Sequence, residues 1–426
     1  MYKNKTILNK SILGWAFYDW ANSVFATVII AGFFPIVFKT FWAENLSDSE
    51  STFWLGSANA AASLVLMIIA PFLGVVADKF NLRKPLLIGF MLLGSLTTAA
   101  FYFSLEGEWE LVLLLYVIAT ISFMSANIFY DAMLVHIAKQ NQVDKVSGLG
   151  YGLGYLGGGL ALAICVYFSQ NPAVLGGNST IDAVLLCFIL VAVWWFVFSL
   201  PIAFFTKDHY IQSKSLATGS VISNTVSAFK SVFGNQQTRW FLIAYWIYID
   251  GVDTIIRMAV DYGMALGFET GDLIQALLIT QFVGFPAAII YGYIGQKVGV
   301  KKSIMAGIGV YIMITWLGYT MDSAQDFYML AVIIGLVQGG VQAMSRSFFT
   351  RMIPAGQAAE YFGIYNMLGK SAAIIGPLIM GAVALITENH RYSILSVMVL
   401  FIVGALVLSR VQAPVEAPTE APIEAS

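Results

Sequence analysis

Apolar residues in this chain come in long blocks separated by short charged links, with no strand-like alternation of apolar and polar positions. Eight uncharged blocks, residues 53–77, 85–105, 111–130, 183–206, 273–296, 303–321, 327–345 and 392–409, are each long enough to cross a hydrocarbon layer of about 30 Å as a helix. Four more, 12–38, 146–169, 240–265 and 361–386, bring the set to twelve, and three of these carry isolated charges. Lysines at 3, 5 and 10 ahead of the first block imitate a secretory signal, but that block is too long for a signal core and contains Asp19, so it is predicted to be a retained span.

Backbone groups in lipid must be satisfied within the segment, which predicts an all-α integral membrane protein. Its expected units are a six-helix bundle over 1–206, a linker over 207–239, a second six-helix bundle over 240–410 and a tail over 411–426. The linker carries Ile222, Val226, Phe229 and Phe233 at helical spacing, which predicts a short helix lying on the membrane surface. The tail repeats Pro, Glu and Ala and is expected to be disordered in the cytoplasm.

Composition agrees: 59% of residues are apolar and 11% charged, against roughly 45–50% and about 25% in a soluble domain. A net charge of -2 leaves no basic field to hold nucleic acid. Cys165 and Cys187 lie in apolar blocks without metal-ligand spacing and are expected to pack in the core, with no metal site. Of 22 Lys and Arg, 17 fall on the N-terminal side of the spans, two (Lys39 and Arg391) on the other, and three inside spans. That bias predicts both termini in the cytoplasm. Glu44, Asp48, Glu106, Asp272 and Asp322 crowd the opposite side.

The chain repeats itself. Gly74, Asp78, Lys79, Arg83 and Lys84 are matched 218 residues later by Gly292, Gln296, Lys297, Lys301 and Lys302, each set following the second span of its half. Asp19 and Asn22 correspond to Asp250 and Asp253 at an offset of 231, and Asn127 and Asp131 to Gln342 and Arg346 at 215. Two parallel repeats joined by a linker suit a transporter, because a site between similar halves can be opened to either side in turn.

The set at Gly74 to Lys84 resembles the loop motif of the major facilitator superfamily, with Asn81 and Leu82 departing from it. GWAFYDWANSVFATVI, GLGYGLGYLGGG, YIDGVDTI, GGVQAMSRS and AEYFGIYNMLGKSAAIIGPL resemble the branch that contains the fungal autophagy-related vacuolar amino-acid effluxers and bacterial relatives. The resemblance spans nearly the whole chain. It implies a monomeric twelve-helix secondary transporter of a small-molecule substrate; with no nucleotide site in the sequence, pumping is expected to draw on an ion gradient, H+ being the expected coupling ion and Na+ the alternative, and no cofactor is expected. It also implies a cluster of Asp78, Arg83 and Asp131 that is intact when the protein opens outward and broken when it opens inward. A bacterial inner membrane is the expected location.

Asp19, Asp131, Asp250, Asp253, Arg257, Asp261, Arg346 and Lys370 lie inside predicted spans, where insertion scales charge about 2.5–3.5 kcal/mol for each at a helix centre. Embedded carboxylates beside a water-filled cavity can exchange protons, so Asp19, Asp250 and Asp253 are the coupling candidates. Lys370, about 14 Å into its span at 1.5 Å per residue, could receive a substrate carboxylate while Asp19 or Asp250 takes the amine. Arg257 either joins this site or neutralises Asp253 and Asp261, four residues away on either side. Asn22, Asn127, Gln338, Gln342 and Asn366 are hydrogen-bonders to substrate or between helices. Gly74, Asp78, Lys79, Arg83, Lys84, Asp131, Lys297 and Arg346 are read as the gate, and Gly150, Gly154 and Gly158 as tight packing between the halves.

Two other readings compete. A passive facilitator would share this fold. An intramembrane aspartyl protease would use Asp19 and Asp253, but its adjacent-helix Gly-x-Gly-Asp pattern is replaced here by Gly251-Val252-Asp253. Gly363, Gly369, Lys370 and Ser371 imitate a phosphate-binding loop with five rather than four intervening residues and no preceding strand.

Overall fold

Each predicted block becomes a helix, and six begin where a polar side chain caps free backbone N–H groups. The computed structural model describes residues 9–176, 179–206, 219–354, 356–372 and 375–412. The first half comprises α1 (Lys10–Trp42), α2 (Asp48–Phe80), α3 (Arg83–Ala100), α4 (Trp109–Ile137), α5 (Val143–Gln170) and α6 (Thr180–Phe205). A short α7 (Val221–Gly234) follows, then α8 (Gln236–Ala265), α9 (Thr270–Val298), α10 (Val300–Thr320), α11 (Ala324–Thr350), α12 (Ala358–Thr387) and α13 (His390–Ser409). Helices α2, α6 and α11 open on reciprocal capping boxes, Ser47 with Glu50, Ser179 with Asp182 and Ser323 with Asp326. Helix α1 opens on Asn9, whose Oδ1 accepts the Ile12 N–H at 2.8 Å, and passes through π-helical turns at Phe25–Phe33 and Phe38–Trp42.

Among the described residues eleven helices are long and apolar enough to cross a bilayer. The twelfth expected span, α8, has 30 residues, ample length, but its embedded charges set it apart. It is enclosed by α13, α12 and α11. In each half two helices lie outermost, α3 and α6 in the first and α10 and α13 in the second. Leu96, Phe204, Trp316 and Leu406 there are exposed, as lipid requires.

The halves join along two pairs, α2 with α12 and α5 with α9, and the joins are copies of each other. A Cβ at Gly74 would sit 2.2 Å from the Ala359 carbonyl oxygen, and one at Gly363 would sit 2.6 Å from that of Ala70. In the other pair a Cβ at Gly292 would be 2.8 Å from the Asp144 oxygen and one at Gly148 2.6 Å from that of Ala288. Residues 74 and 70 match 292 and 288, and 144 and 148 match 359 and 363, so the duplicated glycines are where the backbones meet. The loop motif's departure is explained too: Asn81 ends α2 at φ 54°, and its counterpart Gly299 follows α9 at φ 101°. Asn is the side chain that best tolerates this left-handed region.

The expectation for Gly150, Gly154 and Gly158 is corrected. They face α1 and α4 within their own half: Gly150 against Trp15 and Tyr130, Gly154 against Asp19 and Ser23, and Gly158 against Thr27. It is Gly148, Gly152 and Gly159 that meet α9 in the other half; at about 100° per residue the two sets lie on different faces.

The linker helix is present as α7. Ile222 and Val226 are exposed while Asn224, Thr225, Ala228 and Val232 pack inward, against the ends of α2 and α12. Residues 207–218 and 413–426 lie outside the described residues, and with them most of the tail. Past the end of α13, Lys301 donates to the Val411 carbonyl and the Gln412 N–H to Gln237 Oε1. Cys165 and Cys187 are both buried, as expected of core residues.

Candidate functional site

The links after α2, α4, α9 and α11 share one end of the molecule, here the basic end; the acidic end lies opposite. At the basic end the halves are tied by buried polar contacts. The Arg346 guanidinium, one turn from the end of α11, donates to Asp131 Oδ1 at 3.0 Å, to Ser147 Oγ at 3.0 Å and to the Ser147 carbonyl at 3.0 Å. Trp15, Tyr130 and Tyr151 surround it, with ring centroids 4.9, 5.2 and 4.4 Å away, and cation–π attraction in such a desolvated place is worth about 2 kcal/mol. Asp131 and Arg346 are equivalent positions of the two repeats, so the pseudo-twofold axis passes between them. Asp131 also accepts from Asn366 Nδ2 at 3.1 Å.

Asp144 of α5, 2% exposed, is held by Arg351 at 2.7 and 2.9 Å and by the Ser347 hydroxyl. Across the α2–α12 join, Asp78 Oδ2 accepts the Glu360 N–H at 2.9 Å while its other oxygen lies 3.1 Å from Arg83 Nε. Gln296 Nε2 donates to the Asn141 carbonyl at 2.6 Å. Nearer the middle, Gln281 reaches Thr27 Oγ1 at 3.5 Å. Beyond that, toward the acidic end, no hydrogen bond or ion pair among the described residues joins the halves.

Several gate residues therefore sit in different arrangements from those expected. Asp131 binds Arg346 and Asn366, not Arg83, so the implied Asp78, Arg83 and Asp131 cluster is divided between two contacts. Lys79 donates to the Gly219 carbonyl and Lys84 to that of Thr206 at 3.0 Å; both steady the start and end of the linker. Lys297 is exposed and makes no bond among the described residues. Asp144, Ser147, Tyr130 and Arg351 were not singled out, although Asp144, like Asp131, has no basic partner one turn away in its own helix.

The embedded charges divide into two groups. Asp19, half-buried, accepts from the Tyr130 hydroxyl at 3.1 Å and the Ser23 hydroxyl at 3.3 Å, and lies 4.0 Å from Arg346. Asp250, 1% exposed, receives the Gly376 N–H on both oxygens at 3.0 and 3.1 Å. A Cβ on Gly154 would be 3.1 Å from Asp19 Oδ1, and one on Gly376 3.1 Å from Asp250 Oδ1. Both carboxylates thus face a helix of their own half, and neither is free to take an amine. Asn22 and Asn127 are bonded to each other at 2.6 Å.

The second group is open. Asp253 and Lys370 are half-buried, Arg257 is exposed, and none has a hydrogen bond or ion pair among the described residues. All three lie on α8 and α12, which pack on each other where the Gly376 N–H meets Asp250 and a Cβ at Gly369 would meet the Tyr245 hydroxyl. In the first half, Tyr116 donates its hydroxyl to Asn59 Oδ1 at 2.9 Å. Lys370 is about 18 Å along α12 from Ala358. Gln342 of α11 is half-buried and likewise unbonded. Asp261's side chain lies outside those described. An apolar cavity lined by Ile255, Ala259, Leu273 and Phe327 lies inside the second half; 255 and 259 are on the other side of α8 from 253 and 257.

A family model described as "Vacuole effluxer Atg22 like" matches residues 48–417. An MFS-type transporter of Bacillus subtilis, YxiO, is 34% identical over 400 residues, covering 93% of each chain. Autophagy-related protein 22 of Pichia angusta is 23% identical, covering 84% of this chain and 73% of its own length. The crystal structure of the human organic anion transporter MFSD10 superposes with a TM-score of 0.71 at 13% identity, over 94% of this chain and 99% of that one.

Proposed function

We propose a cargo and a coupling for a chain that belongs to the Atg22-like family of major facilitator transporters and is therefore no enzyme: it moves a small zwitterionic solute of the amino-acid class by alternating access, driven by protons. The observation that carries this reading is the set Asp253, Arg257 and Lys370, charged residues at membrane depth that have no hydrogen bond or ion pair among the described residues. Charges kept without partners at membrane depth are costly, and a bound zwitterion supplies partners for both signs, its ammonium to Asp253 and its carboxylate to Lys370 or Arg257. The family's description as vacuole effluxers supports efflux.

Coupling falls to Asp19. Asp131 holds Arg346 at 3.0 Å, while Asp19 is 4.0 Å away, so one guanidinium serves two carboxylates and Asp19 is the less well neutralised. Proton binding to Asp19 loosens its hold on Arg346 and so biases the contact that ties the halves. The 17-to-2 distribution of Lys and Arg supports a basic end in the cytoplasm, which makes the arrangement outward-open.

Counterflow of labelled amino acids in proteoliposomes tests the cargo. Lys370→Gln is expected to raise the half-saturating concentration at least tenfold. Asp19→Asn is expected to abolish accumulation driven by a pH gradient while sparing exchange. Equal accumulation by wild type with and without the gradient would instead establish a passive facilitator.

A further inference from the structure

The receptor for the Arg346 guanidinium is built by the first half alone. Its Nε and two terminal nitrogens donate to Ser147 Oγ, Asp131 Oδ1 and the Ser147 carbonyl, and the rings of Trp15, Tyr130 and Tyr151 surround it. Helix α1 supplies Trp15, α4 supplies Tyr130 and Asp131, and α5 supplies Ser147 and Tyr151. The second half brings the guanidinium itself and, on the other oxygen of Asp131, the Asn366 amide.

The walls are fixed by contacts that do not cross between the halves. Trp15 stacks on Tyr130 with centroids 4.3 Å apart and planes 10° from parallel, and its Nε1 donates to the Tyr130 carbonyl at 2.8 Å. The Tyr130 hydroxyl donates to Asp19, and Gly150 leaves room for both rings, since a Cβ there would come within 2.7 Å of the Tyr130 hydroxyl and 2.9 Å of Trp15. When the basic end opens, Arg346 leaves with α11 and this cage stays behind, with Asp131 and Asp19 deprived of the guanidinium they shared. We propose that the vacated cage binds a guanidinium-bearing solute from the basic side, of the class of arginine and agmatine, which takes the place of Arg346 and holds that end open. This needs only that the halves part at Arg346, and is independent of the cargo reading of Asp253, Arg257 and Lys370.

A buried carboxylate that loses its partner is costly, so the vacated cage favours a cation. Its three acceptors and its aromatic faces suit a planar guanidinium, whereas an ammonium is a point charge that fits this arrangement less well. In the closed state Arg346 occupies the cage, so a solute has to displace it and binds with reduced apparent affinity.

Titration calorimetry on the full-length protein in nanodiscs reads this. Arg346→Gln, which empties the cage, should bind agmatine at least about tenfold more tightly than wild type does. In that variant putrescine and lysine should bind about tenfold more weakly than agmatine and arginine, and adding Tyr151→Leu should weaken agmatine by about tenfold. In wild type, saturating agmatine should lengthen the distance between spin labels at the exposed Gln140 and Lys297, a measurement that decides if Arg346→Gln does not fold. The inference is overturned by agmatine bound no more tightly in Arg346→Gln than in wild type, by putrescine bound as well as agmatine, by an affinity indifferent to Tyr151→Leu, or by an unchanged label distance. Amino acids that exchange while agmatine fails to bind leave the cargo reading intact; agmatine that binds while no amino acid exchanges leaves the cage standing and removes that reading.

Discussion

Arg346 shows how one side chain can hold a transporter in one state. It bonds Asp131 and both the hydroxyl and the carbonyl of Ser147, all in the opposite half. Removing one partner of a buried pair costs about 3–5 kcal/mol, a more than hundredfold change in any equilibrium that depends on the contact. Arg346→Gln is therefore expected to let the basic end open, seen as a longer distance between spin labels at Gln140 and Lys297 with the helical content unchanged. An unaltered distance would reduce Arg346 to packing. The residues also show what spacing conceals. Asp250 and Asp253 are three positions apart, which reads as one helix face, yet they differ by about 60° in direction. That rotation turns Asp250 onto the Gly376 N–H and leaves Asp253 open. The sequence showed which residues were embedded, but not which already had partners.

Helix α5 has two glycine faces with two duties. Gly154 lets α1 approach within its half, so that Asp19 reaches Tyr130, whereas Gly148 lets α9 approach from the other half. Overpacking a close contact costs about 1–3 kcal/mol, but the two sites should spend it differently. Gly154→Ala is expected to lower the melting temperature, because the contact it strains persists in every state of the bundle. Gly148→Ala strains a contact between halves that move, and is expected to shift the population toward the state open at the basic end with a smaller fall in melting temperature. Identical responses to both substitutions would mean that the halves do not separate along α5 and α9. The repeat at Gly74 and Gly292 was legible because identical loop chemistry recurs at a fixed offset. The faces of α5 were not, because seven of its residues are glycine and periodicity alone does not say which neighbour each one meets.

At the scale of the whole molecule, nearly all of the fold was legible in the block pattern: span number, duplication, and the linker helix. The ties between halves were less so, since they join residues more than 200 positions apart. One signal was available nonetheless: Asp131 and Arg346 are repeat equivalents of opposite charge, and equivalents that lie near a pseudo-twofold axis must meet. The consequence is an asymmetry of the entire structure. Polar contacts tie the halves at the basic end and none among the described residues ties them beyond Gln281 and Thr27 toward the acidic end, so water should reach Arg257 from the acidic end alone. With Cys165 and Cys187 both buried, Arg257→Cys supplies a reporter on an otherwise silent background. A membrane-impermeant maleimide should label it from the side that the acidic end faces and leave it untouched from the other. Adding Arg346→Gln should bring labelling from the basic side, because release of one contact on the axis frees both halves at once. Labelling of Arg257→Cys from the basic side without that second change would contradict the closed basic end, and no labelling from either side would contradict a solvated space between the halves.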